Sequence, residues 1–259
     1  MKLALAIWNP LWEEKEENKR QAEKLVSKAA KSGAEFVLFP EMTLTGYSMC
    51  VERIGEVKEN SKTLDFFKKL SLRYNIAIGF GYATWISGNK GENRFAVINQ
   101  GEILGDYCKI HPFSYAGEDK FYTAGNQLCQ VKLKDFIFGM YICYDLRFPE
   151  IFLSAAKDCN AMIVIANWPD SRKEQWEALL CSRAIETQCY FIGVNRTGEG
   201  NGIIYPIDSS KIFNPFGEEV LLQKTDELYF GEIKAETVLD YRQKFPVLQD
   251  RRTDLYRKL

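Results

Sequence analysis

Three residues offer reactive groups at positions where a fold could present them. Cys143 ends an apolar run of β character, Phe136-Ile137-Phe138-Gly139-Met140-Tyr141-Ile142, and Pro149 shortly after it suits the first turn of a helix. A cysteine at such a strand-to-helix turn holds its sulfur above the sheet edge, and the following backbone N–H groups face whatever the sulfur attacks. A free thiol has a pKa near 8.5 and is little ionised at neutral pH, so it needs a base or a nearby cation. Glu41 directly follows the buried run Phe36-Val37-Leu38-Phe39-Pro40. Lys109 lies near a strand end in Asp106-Tyr107-Cys108-Lys109-Ile110-His111. The carboxyl edge of an α/β sheet is where ligands bind. There Glu41 would take the thiol proton and Lys109 would stabilise a developing oxyanion. Singly, each has an ordinary alternative: Cys143 as buried filler, Glu41 as a solvated loop residue, Lys109 as a surface lysine.

Other chemistries find less support. Ser-His-Asp and Cys-His schemes need a histidine base, and the one histidine, His111, reads as a structural hydrogen-bonder. There is no G-x-S-x-G elbow, and no G-x-G-x-x-G or Walker loop, so no nucleotide cofactor is expected. No His/Cys/Asp cluster has metal spacing, and no metal is expected. The seven cysteines include no C-x-x-C pair and suggest neither a disulfide framework nor a zinc ribbon, which fits a reducing, cytoplasmic setting. A net charge of -1 with neither sign dominating argues against a grip on nucleic acid or an anionic membrane. No apolar run approaches the ~20 residues that span a bilayer. The run Met1–Pro10 reads as a first strand rather than a signal sequence.

The elements that must position these groups alternate. Strand Lys2–Trp8, a helix near Glu14–Ser32 with Gly33 at its C-terminal cap, and strand Phe36–Phe39 form a β-α-β opening. A helix near Ser61–Tyr74, with Ser61 as N-cap, leads to strand Ile76–Tyr82. Phe95–Asn99 and Ile103–Ile110 read as a hairpin across Gln100-Gly101. Strands Leu128–Leu133 and Phe136–Ile142 reach Cys143. Helix Pro149–Asp158, strand Met162–Ala166, helix Arg172–Thr187 and strand Tyr190–Val194 repeat the pattern. A Gly-rich loop at 198–202, short strands near 209–214, 219–223 and 228–233, and a helix near Ala235–Phe245 complete the chain. With 259 residues, 46% hydrophobic and 27% charged, and no linker or repeat, it reads as one α/β domain over residues 1–259.

Three blocks carry a resemblance. Phe39-Pro40-Glu41-Met42-Thr43-Leu44-Thr45-Gly46-Tyr47, Cys108-Lys109-Ile110-His111-Pro112-Phe113 and Ile142-Cys143-Tyr144-Asp145-Leu146-Arg147-Phe148-Pro149-Glu150 are similar, in order and separation, to the Glu, Lys and Cys blocks of the nitrilase (carbon-nitrogen hydrolase) superfamily. The similarity runs nearly end to end. Asn167-Trp168-Pro169-Asp170-Ser171-Arg172, Gly200-Asn201-Gly202 and Tyr241-Arg242-Gln243-Lys244-Phe245-Pro246 make the chain most like the bacterial omega-amidase branch.

The resemblance implies a four-layer α-β-β-α sandwich, paired into homodimers or larger even assemblies, that needs no cofactor. It implies Glu41 as general base, Lys109 as oxyanion stabiliser and Cys143 as nucleophile, assisted by the Tyr144 backbone N–H. It also implies a second glutamate, matched by Glu118, with Asp119 its neighbour should the register slip. The expected reaction is hydrolysis of a small carboxylate-bearing amide such as 2-oxoglutaramate. A deaminated-glutathione amidase, an N-carbamoyl hydrolase, a nitrilase and a non-catalytic interaction module are the alternatives. Arg172 and Arg147 are candidates for the substrate carboxylate, and Tyr115, Phe113 and Trp168 for the pocket wall. Ile207 stands where the family often has glycine, which questions the backbone geometry there.

Overall fold

The computed structural model describes residues 1–256. The chain opens with β1 (Lys2–Ala6), α1 (Lys15–Lys31), β2 (Phe36–Leu38), α2 (Val51–Ile54), α3 (Lys62–Tyr74), β3 (Ala77–Ser87), β4 (Lys90–Asn99) and β5 (Glu102–Cys108). It continues with β6 (Gln130–Leu133), β7 (Phe136–Ile142), α4 (Pro149–Ala155), β8 (Ala161–Ala166), α5 (Lys173–Thr187) and β9 (Tyr190–Asn195). The last part holds β10 (Gly198–Gly200), β11 (Ile203–Tyr205), β12 (Lys211–Phe213), β13 (Gln223–Lys224), β14 (Leu228–Glu232), α6 (Ala235–Lys244) and α7 (Thr253–Tyr256).

One sheet runs β13-β14-β1-β2-β3-β4-β5 and a second runs β12-β9-β8-β7-β6. Leu3, Leu5, Phe36, Leu38 and Val97 of the first pack against Phe138, Met140, Ile142, Ile163 and Ile192 of the second, forming the inner core. The first sheet turns its other face, with Ala4, Val37 and Phe80, to Ala22, Leu25 and Val26 of α1 and Leu64 and Phe67 of α3. The second sheet's outer face, with Met162, Val164 and Phe191, packs on Phe152 of α4 and Trp176 and Leu180 of α5. The result is helix, sheet, sheet, helix: the α-β-β-α sandwich. Strands β2 and β8 are buried on both faces, which is why they read as continuous apolar runs.

Local chemistry sets the boundaries. Ser61 caps α3 by accepting the Leu64 N–H at 3.2 Å, and Gly33 turns the chain after α1 at φ 75°. Hairpin β4–β5 turns at Gln100 (φ 50°) and Gly101 (φ 78°). Two expectations needed correction. Residues 198–202 are not an open loop but part of hairpin β10–β11, turned by Asn201 (φ 52°) and Gly202 (φ 75°), the Asn-Gly pair suited to a tight hairpin. Strands β3 and β4 run further than their apolar cores, because the ladder continues through Thr84↔Glu92, Trp85↔Gly91 and Ser87↔Lys90 into a largely exposed end.

No helix among the described residues is long and apolar enough to cross a membrane.

Candidate active site

Cys143 sits where β7 breaks into a single 3-10 turn, Cys143–Arg147, and its φ of 45° is a left-handed conformation costly for a residue with a Cβ. The fully buried Asp145 carboxylate fixes that turn. One oxygen accepts the Ile142 N–H (3.0 Å) and the Tyr107 hydroxyl (2.8 Å). The other accepts the His111 backbone N–H (3.0 Å) and lies 2.8 Å from His111 Nδ1. The His111 ring also stacks on Phe148 at 3.9 Å, so the lone histidine braces the turn.

Glu41 leaves β2 at a second tight point, with Met42 at φ 49°. Its backbone lies so close to β3 that a Cβ on Gly81 would fall 2.4 Å from the Met42 nitrogen and 2.7 Å from the Glu41 Cα. Gly81→Ala is therefore expected to displace Glu41 and lower kcat by about 10²-fold, the scale of a 1 Å misplacement of a reacting group. Steady-state kinetics beside a thermal melt will check this; an alanine variant with unchanged kcat would show that the close approach is unnecessary.

Lys109, 1% exposed, ties the site together. Its ammonium donates to Glu41 Oε1 at 3.0 Å and to Glu118 at 2.8 and 3.1 Å. Glu118, fully buried, also accepts from the Tyr47 hydroxyl (2.9 Å), the Phe113 N–H (2.6 Å) and Asn93 Nδ2 (2.8 Å). Burial alone would raise Glu118, but the Lys109 charge and these hydrogen bonds hold its carboxyl below the usual range. Burial would lower Lys109, yet Glu118 first and Glu41 second keep it well above the usual lysine value, so it stays a cation. Burial pushes the Cys143 thiol well above its ordinary value; the Glu41 charge adds to this and Lys109 opposes it. These influences together favour the neutral thiol over the thiolate at rest.

Every sequence-derived site residue except Asp119 falls in or against this constellation. Cys143, Tyr144, Phe113, Tyr115, Trp168, Arg147 and Arg172 line one cavity of about 190 Å³, while Glu41, Lys109 and Glu118 lie buried behind the thiol. Tyr115, 85% exposed, stands at the rim. Arg147 lies over the Trp168 ring (4.7 Å) and donates to Gln175 (2.7 Å); Arg172 lies over the Phe113 ring (5.4 Å). Among the described residues, no Asp or Glu lines the cavity. Burial, and then the charge of Arg172, pulls the Arg147 guanidinium below its ordinary value.

Sequence reasoning missed two asparagines. Asn167, at the end of β8, donates its backbone N–H (2.9 Å) and its amide (3.2 Å) to Glu41 Oε2. Asn93, inside β4, donates to Glu41 Oε1 at 2.7 Å. Asparagine is depleted in strands, so the Glu92-Asn93-Arg94 stretch was the available signal. Ile207 itself needs no glycine-like backbone: the left-handed residue of that turn is its neighbour Asp208 (φ 63°), a type that tolerates it. Among the described residues no group of His, Cys, Asp and Glu is arranged to hold a metal ion.

Comparisons to known proteins bear on the family and the fold. The sequence profile described as carbon-nitrogen hydrolase matches residues 2–243. The chain belongs to the carbon-nitrogen hydrolase family. It is 32% identical over 222 residues to omega-amidase YafV of Escherichia coli (strain K12), covering 85% of each chain. It is 28% identical over 244 residues to the 2-oxoglutaramate amidase of Bacillus subtilis (strain 168), covering 93% of each. Among solved structures, a CN-hydrolase superfamily protein of Xanthomonas campestris superposes with a TM-score of 0.89 at 24% identity, over 98% of this chain and 97% of that one. The last likeness concerns the fold.

Proposed function

We propose that this carbon-nitrogen hydrolase is an amidase that hydrolyses a small amide carrying a distal carboxylate, with 2-oxoglutaramate as the type substrate, through a thioester on Cys143. The observation that carries this reading is the cavity itself. A thiol backed by a buried carboxylate–ammonium pair opens into a small apolar space that holds two arginines and, among the described residues, no acid. About 190 Å³ lies below the ~300–1,000 Å³ of pockets for drug-sized ligands, which favours a small substrate over a peptide-sized one. The relatives named omega-amidase and 2-oxoglutaramate amidase support the same class.

In the proposed cycle Glu41 takes the thiol proton as Cys143 Sγ bonds to the amide carbon. Coupling the two events suits a thiol whose resting state is neutral. The oxyanion is stabilised by the Lys109 ammonium and the Tyr144 N–H. Glu41 then gives the proton to the leaving nitrogen, the C–N bond breaks and ammonia departs. Glu41 next takes a proton from water as its oxygen attacks the thioester. The S–C bond breaks, the carboxylic acid leaves and the proton returns to sulfur. Glu118, already accepting from four groups, serves to hold Lys109 in place.

Ammonia release from 2-oxoglutaramate, from a neutral amide of similar size, from a carbamoyl amine and from a nitrile tests the substrate class. The carboxylate-bearing amide is expected to give the highest kcat/KM. Arg172→Ala should cost it about 10–100-fold, the value of a charge-assisted hydrogen bond, while the neutral amide changes little. Equal losses on both amides would remove the carboxylate from the proposal.

A further inference from the structure

Two buried carboxylates share one ammonium in this site, and one neutral side chain touches both. Asn93 Nδ2 lies 2.7 Å from Glu41 Oε1 and 2.8 Å from Glu118 Oε1, one amide hydrogen to each. The two oxygens are therefore no farther apart than these two hydrogen bonds end to end. Two like charges so close, away from water, drive one carboxyl to take up a proton. Lys109 offsets one of the two charges.

We propose that Asn93 is a positioning residue that keeps Glu41 and Glu118 ionised together beside a single lysine. This rests on the reading of Glu41 as the base, which must be unprotonated before each attack. The amide can face only one way. Turned over, it would aim Oδ1 at two carboxylates. In the orientation that serves them, Oδ1 is buried and has no hydrogen-bond partner. A polar atom left orphaned in the interior is a cost the fold bears for the two donors. The same residue also places the lysine, since the Asn93 carbonyl accepts the Lys109 backbone N–H at 2.9 Å. Asn167 does not duplicate this role, because its donors reach Glu41 and not Glu118.

The other titratable groups around the pair leave the work to Asn93 and Lys109. Tyr47, whose ring lies 5.7 Å from the Lys109 ammonium, and Tyr122 are held well above the usual phenol range, first by burial and then by the two carboxylate charges. Tyr205, pushed up to about 12 by burial, is likewise a neutral phenol, and the Cys143 thiol is neutral at rest.

The test is the pH profile of kcat/KM for 2-oxoglutaramate in Asn93→Ala and Asn93→Asp, with the pH dependence of Cys143 alkylation by iodoacetamide as a readout that needs no substrate. In Asn93→Ala the acid limb of both profiles should move up by about one pH unit, which is tenfold in rate on that limb, with KM within about threefold. Asn93→Asp keeps the side chain's size and adds a third carboxylate, so its limb should move further. It also keeps the test open should the alanine variant fold poorly. If either variant, shown to be folded by circular dichroism, retains the wild-type acid limb, the role assigned to Asn93 is wrong, whatever the drop in kcat. Glu41→Gln, measured in parallel, separates the two layers. An active Glu41→Gln overturns the base assignment itself, whereas an inactive one beside unshifted Asn93 variants overturns only the present inference.

Discussion

Replacing Cys143 by alanine is expected to lower amide hydrolysis by about 10⁶-fold, the scale at which a covalent nucleophile fails when its supporting groups remain. The loss should fall on kcat. The arginines and aromatic rings that line the cavity are untouched, so carboxylate-bearing ligands should still bind. The fold should survive, because the turn at Cys143 is held by the Asp145 carboxylate through Ile142, Tyr107 and His111 rather than by the sulfur. Alanine and cysteine both carry a Cβ, so the φ of 45° costs them alike. Ammonia release will measure the rate, and denaturant unfolding should place the variant within about 1 kcal/mol of the parent. Activity within tenfold of the parent would mean that the sulfur is not the nucleophile and that Glu41 activates water directly.

What could be read in the sequence divides along a physical line. Glu41 and Cys143 stood out as candidates because each follows an apolar strand, whereas Lys109 ends the largely exposed β5 and stood out by its block; strand ends in a layered α/β fold meet at one edge. The apolar strands β2, β7 and β8 were legible for the same reason, since burial on both faces writes itself as an unbroken apolar run. Asn93 offered only the weak signal of an asparagine inside a strand. Its value lies in two carboxylates 52 and 25 residues away in the chain, and nothing local announces that it will meet them. Asp145 stood in the sequence as a member of the Cys143 block, and its grip on His111 exists only once β5 and β7 come to lie near each other. The outer ends of β3 and β4 were missed because the mostly exposed stretch 85–90 carries no apolar alternation to detect. Hairpin β10–β11 was missed although its Asn201-Gly202 signal was present, because three-residue strands, the first of them Gly-Glu-Gly, carry no alternation of their own.

Removing the cation should disturb both chemistry and stability. In Lys109→Met the oxyanion loses its buried ammonium, and kcat is expected to fall by at least about 10³-fold, in line with loss of a preorganised donor. The same change leaves Glu41 and Glu118 buried together without the charge that offsets them. Breaking a buried ion pair by removing one partner costs about 3–5 kcal/mol, because the remaining charge is stranded. The pH dependence gives this its sign. In the parent, Lys109 and the surrounding hydrogen bonds hold Glu118 below the usual range, so its contribution to stability is present above the unfolded carboxyl value and is lost as pH falls through the folded one. In Lys109→Met the largest influence opposing burial is gone and only the weaker hydrogen bonds from Asn93 and Phe113 remain, so the folded carboxyl is expected to rise above its unfolded value. The folded variant then binds the extra proton, and its stability declines as pH rises from about 4 toward 7. The gap between parent and variant should therefore be smallest near pH 4.5 and largest near pH 7.5. Urea unfolding at those two values measures it directly. A gap of equal size at both would mean that the variant fails through lost packing of the lysine stem, and that the paired glutamates do not feel the lysine's charge.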